Sequence, residues 1–268
     1  MSASGTGVVA HHFDNLRQQQ STVRLGMWLF LVTEVLFFGG VFCAYTGYRV
    51  WFPKEFEAGS AALNVGIATV NTFLLLASSL TITLGIRAAH AGDVRGLKAY
   101  LMLTIILGTA FLALKGREYQ LDFHEGLLPG TTTLSAGAKA HEAAHSHGDA
   151  PQEVVFVRNL KVVLHEQGYK TDGVDLSRVQ LFFMFYYIMT GLHVIHMIVG
   201  VGLLVWQYIL AMRGFFDHSE RYVYVEVMSL YWHFVDMVWI FLMPLLYLAG
   251  PHTFAQVGEG LKVAFGSH

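Results

Sequence analysis

Five stretches of this chain run far enough with no charge, or with only one or two, to cross a lipid bilayer. That pattern limits the fold more than any other feature. A helix rises 1.5 Å per residue, so about 20 apolar residues cover the ~30 Å hydrocarbon core. Between Arg24 and Arg49 the only charge is Glu34, and between Glu57 and Arg87, or Arg178 and Arg213, there is none. The run AYLMLTIILGTAFLAL between Lys98 and Lys115 is shorter and reaches only ~24 Å. Its flanking lysines are expected to snorkel to the interface, with the helix running on to about Tyr119. The last run follows Glu226, holds His233 and Asp236, and stops near Gly250–Pro251.

Composition points the same way. Only 13% of the 268 residues are charged, against about 25% in a soluble domain, and the mean hydropathy is +0.48. A net charge of −2 gives nucleic acid nothing to bind. The single cysteine, Cys43, excludes a disulfide framework, a Cys-x-x-Cys redox pair and a Cys-x-x-Cys-His haem attachment. The opening MSASGTGVVAHHFDNL has neither the basic nor the apolar region of a secretory signal, so the first run is read as a retained helix.

The expected fold is therefore all-α, a polytopic membrane bundle with helices at about 24–48, 62–87, 97–119, 179–212 and 223–249. Residues 1–23 form an N-terminal segment, 24–250 the transmembrane domain, 120–177 an extramembrane His-rich insertion and 251–268 a tail. There is no internal repeat and no second domain. The bias of positive charge places Arg17, Arg24, Arg87, Arg95, Lys98, Arg213 and Arg221 inside and Arg49, Lys54 and Lys262 outside. This predicts a cytoplasmic N-terminus and a periplasmic C-terminus. The second half of the insertion carries enough Val and Leu for a short strand or helix.

Within the insertion, His141-Glu142-Ala143-Ala144-His145 fits the zinc-protease pattern H-E-x-x-H. A short pattern in a His-rich, Gly/Ala/Ser-rich loop arises by chance, and catalytic zinc needs a third protein ligand in a shaped cavity. His141, Glu142 and His145 are read as a chance match, and no metal site is assigned.

The deep polar residues carry more information. Glu34 lies ten residues beyond Arg24, about 15 Å down and near the midplane. An ionised carboxylate there costs at least ~2.5–3.5 kcal/mol, so it must face the bundle, be protonated or be paired. Phe30, Leu31, Phe37 and Phe38 share its side of the helix and form an apolar collar. His193 and His196 stand three apart in TGLHVIHMIVG; Glu226, Ser229, His233 and Asp236 make one stripe on the last helix. Two readings follow: these groups satisfy one another and fix helix register, or they form a functional polar site such as a proton relay.

The run RLGMWLFLVTEVLFFGGVFCAY resembles the first block of haem–copper oxidase subunit III, and NTFLLLASSLTIT and LGTAFLALKGREY look like its next two helices. TGLHVIHMIVG resembles its paired-His helix, and VEVMSLYWHFVDMVWIFLMPLLY is very close to its last. The resemblance, to the five-helix bacterial type, covers about two-thirds of the chain. It implies a subunit without haem or copper of its own, packed beside the subunit I that holds the redox centres, with subunit II and small subunits or a supercomplex partner nearby. That complex would pass electrons from cytochrome c to oxygen and pump protons. This chain would stabilise subunit I, hold phospholipid and support proton uptake. Glu34, His193, His196, Glu226, His233 and Asp236 match the family's intramembrane polar residues, and Arg24, Phe30, Arg213 and His218 match lipid-contacting positions. Longer relatives carry two additional N-terminal helices that line a lipid cleft, and they have only a short loop where residues 120–177 stand. A quinol oxidase or nitric oxide reductase subunit and, more distantly, a stand-alone proton channel are the competing expectations.

Overall fold

A computed structural model describes residues 16–128, 152–217 and 221–250. His141, Glu142, His145, His218 and the 251–268 tail lie outside them. Among the described residues the chain is helical, with no strand. The elements are α1 (Leu16–Trp51), α2 (Pro53–Ala61), α3 (Val65–His90), α4 (Val94–His124), α5 (Gln152–Glu166), α6 (Val179–Met212), a 3-10 turn (Phe215–Asp217) and α7 (Val223–Tyr247). Five of them, α1, α3, α4, α6 and α7, are long and apolar enough to cross a membrane. The short α2 starts at Pro53, whose fixed φ and missing N–H suit a first helical position.

The chain divides into two compact units. Among the described residues the first comprises 16–40, 74–109, 195–217 and 221–238. The turn from α3 to α4 is a Schellman motif: Gly92 takes φ 76°, its N–H reaches Ala89 O, and the Asp93 N–H reaches Ala88 O at 2.9 Å. Asp93 then caps α4 by accepting from the Gly96 N–H at 2.9 Å. The core of this unit is Trp232, fully buried, with its indole N–H on Ser78 Oγ at 3.0 Å. Gly108 and Gly200 lie against its ring and leave room for it. Thr81 and Thr104 join α3 to α4 by a buried 2.7 Å hydroxyl pair.

Among the described residues the second unit comprises 41–73, 110–128, 152–194 and 239–250. Its core is aromatic. Tyr45, Phe56, Phe182, Phe183, Tyr186, Trp239 and Tyr247 are all fully buried. The Tyr45 hydroxyl donates to Leu245 O at 2.6 Å. Apolar Phe156, Leu160 and Leu164, spaced four apart, form the buried stripe of α5, and Phe156 meets Phe183 edge-on at 5.7 Å. The second half of the insertion is thus a packed helix, and the strand alternative does not occur there.

Candidate functional site

In the first unit, Glu34 of α1 meets His196 of α6, Oε2 to Nε2 at 3.0 Å. The carboxylate expected to be protonated or paired has a partner. The two side chains are about one-fifth exposed, 20% and 17%. Phe38 lies edge-on to the His196 ring at 5.2 Å, and the Tyr231 hydroxyl donates to the His196 carbonyl at 3.0 Å. The apolar collar is one-sided: Leu31 and Phe38 are buried, whereas Phe30 and Phe37 are 41% and 47% exposed. They stand on the flank of α1 turned away from the unit's core.

Two further sites occupy α7. Ser79 and Thr83, one turn apart on α3, bracket His233, with Ser79 Oγ 2.7 Å from Nδ1 and Thr83 Oγ1 3.4 Å from Nε2. Thr83 spends its own proton on the Ser79 carbonyl at 2.9 Å, so its oxygen is left to accept, and the arrangement fits the Nε2–H tautomer. Asp236 is buried with Ser79 as its polar neighbour, while the Ser79 hydroxyl also stands 2.7 Å from His233. Glu226, in the first turn of α7, is held by Arg24 at 2.8 Å and His90 at 3.0 Å. Ser229 turns its hydroxyl back onto the Glu226 carbonyl at 2.7 Å.

The polar residues read from sequence therefore do not form one site. Glu34 and His196 come together; Glu226 pairs with Arg24; His233 engages α3. His193 belongs to the second unit, fully buried in a three-ring cluster with Phe111 at 5.6 Å and Trp239 at 5.1 Å, which themselves meet edge-on at 4.9 Å. The reason is helical rise: residues three or four apart share a face but step about 5 Å along the axis, so each meets different neighbours. Among the described residues no group of three His, Cys, Asp or Glu converges as metal ligands would. Of the lipid-contact residues, Arg24 is bonded to Glu226 but 53% exposed, Phe30 lies 6.1 Å from Tyr231, and Arg213 is exposed past the end of α6.

A second buried polar cluster has no counterpart in the sequence reading. Lys115, expected to snorkel, is 1% exposed and pairs with Glu118, 2% exposed, at 3.0 Å. Its Nζ also donates to the hydroxyls of Tyr186, at 3.2 Å, and Tyr247. Four rings, of Tyr119, Tyr186, Trp239 and Tyr247, surround the ammonium at 5.0–5.3 Å, within cation–π range. α4 continues past Lys115 to His124, so the lysine stands inside the helix with buried acids below it. Asp122, one turn beyond Glu118, completes the cluster. The sequence signal was the i, i+3, i+7 spacing of Lys115, Glu118 and Asp122, a charged face on an otherwise apolar helix.

The family model for cytochrome c oxidase subunit III matches residues 5–124 and 153–251. Relatives include cytochrome c oxidase subunit 3 of Thermostichus vulcanus, 26% identical over 252 residues, covering 92% of this chain and 96% of the other. The probable cytochrome c oxidase subunit 3 of Nocardia farcinica is 29% identical over 225 residues, covering 84% and 87%. The quinol oxidase subunit 3 of Bacillus spizizenii is 24% identical over 233 residues, covering 84% and 86%.

Proposed function

We propose, from the premise that this chain belongs to the cytochrome c oxidase subunit III family, that it is the non-redox subunit of a terminal oxidase that passes electrons from cytochrome c to oxygen while pumping protons. It is a multi-pass protein of the bacterial inner membrane. The observation that carries the reading is the family match, which runs through all five spans and the residues that hold Glu34 and His196 together. The deep histidines are committed within the chain: His196 to Glu34, His233 to Ser79 and Thr83, and His193 to its cluster with Phe111 and Trp239. Haem and copper belong, in this reading, to partner subunits I and II.

The chain's own contribution is structural and electrostatic. Its paired buried groups hold helix register and offer subunit I a rigid face. The orientation from charge bias puts the N-terminus in the cytoplasm and the C-terminus in the periplasm. Arg24 beside exposed Phe30 and Arg213 past α6 suits phospholipid, a cation for the head group and an apolar ring for the tail. Support for proton uptake belongs to the same reading.

The second reading is a quinol oxidase, favoured by the Bacillus spizizenii relative. Oxygen uptake by the purified complex decides between them. Uptake driven by reduced cytochrome c supports the first; uptake with a quinol alone establishes the second.

A further inference from the structure

The Lys115 cluster has an uneven charge count. One ammonium stands against two carboxyls, Glu118 and Asp122, all within a region where each is at most 7% exposed. The hydrogen bonds say which carboxyl takes the compensation. Lys115 has three N–H donors, and they go to Glu118 Oε2, Tyr186 and Tyr247. The Tyr247 hydroxyl donates to Glu118 Oε1 at 2.6 Å. The one proton of Tyr186 has Glu118 Oε1 at 3.0 Å and Asp122 Oδ2 at 3.3 Å, and the nearer oxygen receives it. Glu118 is thereby held as an anion, with an ammonium and two phenols on its oxygens. Asp122 is left with the Tyr186 oxygen and a 3.5 Å approach from the Tyr187 hydroxyl. The one ammonium nearby, Lys115, is already balanced by Glu118, so a second anion in that position would be buried without a countercharge of its own.

We propose that Asp122 is a proton-binding site: a neutral carboxyl held beside the Lys115–Glu118 ion pair, exchanging its proton with solvent through the Tyr187 phenol. The groups facing it are Lys115, Glu118, Tyr119 and, past the helix end, Glu125 from the α4 segment, Tyr186 and Tyr187 from α6, and Tyr247 from α7. The exit is a surface cleft of about 450 Å³ where Tyr119 and Tyr187 meet Gln120, Phe123, His124 and Leu128. Tyr187 thus touches the carboxyl with its hydroxyl and lines the cleft. Tyr119 is tied down by a 2.7 Å bond to Thr190. In the exchange step Asp122 gives its proton to the Tyr187 oxygen as the phenol proton leaves to water in the cleft. One O–H bond forms and one breaks at that oxygen, and no electron moves. The site stands whichever electron donor the complex uses.

Infrared spectra of the purified complex test it. Wild type minus Asp122→Asn should contain a carboxylic-acid C=O band that moves down in D2O. The band should persist in Glu118→Gln, and in Tyr187→Phe its D2O shift should be slower. A band that survives Asp122→Asn overturns the assignment. A D2O shift as fast in Tyr187→Phe as in wild type overturns the route. Labelling of the wild-type complex with a hydrophobic carbodiimide, which adds to carboxyls that carry a proton, needs no variant. Modification of Asp122 but not Glu118, read by peptide mass, is the expected result. Label on Glu118, or none on Asp122, overturns the proposal.

Discussion

Lys115 marks the division between groups whose roles follow from position and groups whose roles follow from partners. A lysine at the end of a short apolar run reads as an interface anchor. Three donors, two carboxyls and four rings make it a buried centre instead. Removing one member of a buried pair costs about 3–5 kcal/mol, because the other is left uncompensated. Lys115→Met should therefore lower thermal stability strongly, while Lys115→Met with Glu118→Gln should cost less than the two single changes summed, as a double-mutant cycle will show. Glu34 behaves differently, since its partner is His196 and, in the function proposed above, the redox centres lie in other subunits. Glu34→Gln in an assembled complex should leave oxygen reduction largely intact; loss of most activity would place the pair in the catalytic path. Glu125, just past α4, is pushed up to about 7 from an ordinary 4.5, first by burial and then by the Glu166 charge. The fold favours its neutral form, so its contribution is complete below about 4.5 and vanishes as the pH rises through about 7. Glu125→Gln should abolish that part of the stability loss in thermal scans across the window. Depth alone made Glu34 legible in the sequence, because one acid in an apolar run must be paired or neutral. Its partner, His196 and not His193, was settled by which neighbours each turn of α6 meets.

At the level of elements, hydropathy located the five spans because the bilayer imposes their length and composition together. It could not see α2, whose PKEFEAGSA is too polar and too short to register, or set the ends of α1, which extends through 36 residues and well past Arg24. Polar residues continue a helix readily when nothing breaks it, so α1 begins among glutamines. Packing between elements is equally hidden in a hydropathy profile. A methyl at Gly108 would meet Trp232 atoms at 2.7 and 3.0 Å, and one at Gly59 would run into the Phe182 ring. Gly108→Ala and Gly59→Ala should each cost about 1–3 kcal/mol through overpacking, despite the gain in helix propensity, as measured by thermal unfolding in mild detergent.

The whole chain presents a large apolar surface. The apolar window of α1 is only 11% buried within the protein, against 56% for α7. Leu25, Trp28, Leu29, Val32, Leu36 and Trp51 all face outward. Lipid and a larger membrane partner are the two environments that accept such a face. The family to which the chain belongs supplies that partner in the form of an oxidase. The most direct measurement is affinity purification of the tagged chain from its native membrane, followed by a reduced-minus-oxidised haem spectrum. The expected result is co-purification of haem-bearing subunits in fixed proportion, with all the haem and copper on those partners. A chain recovered alone and colourless, or one carrying haem itself, would contradict the proposed role as a non-redox oxidase subunit.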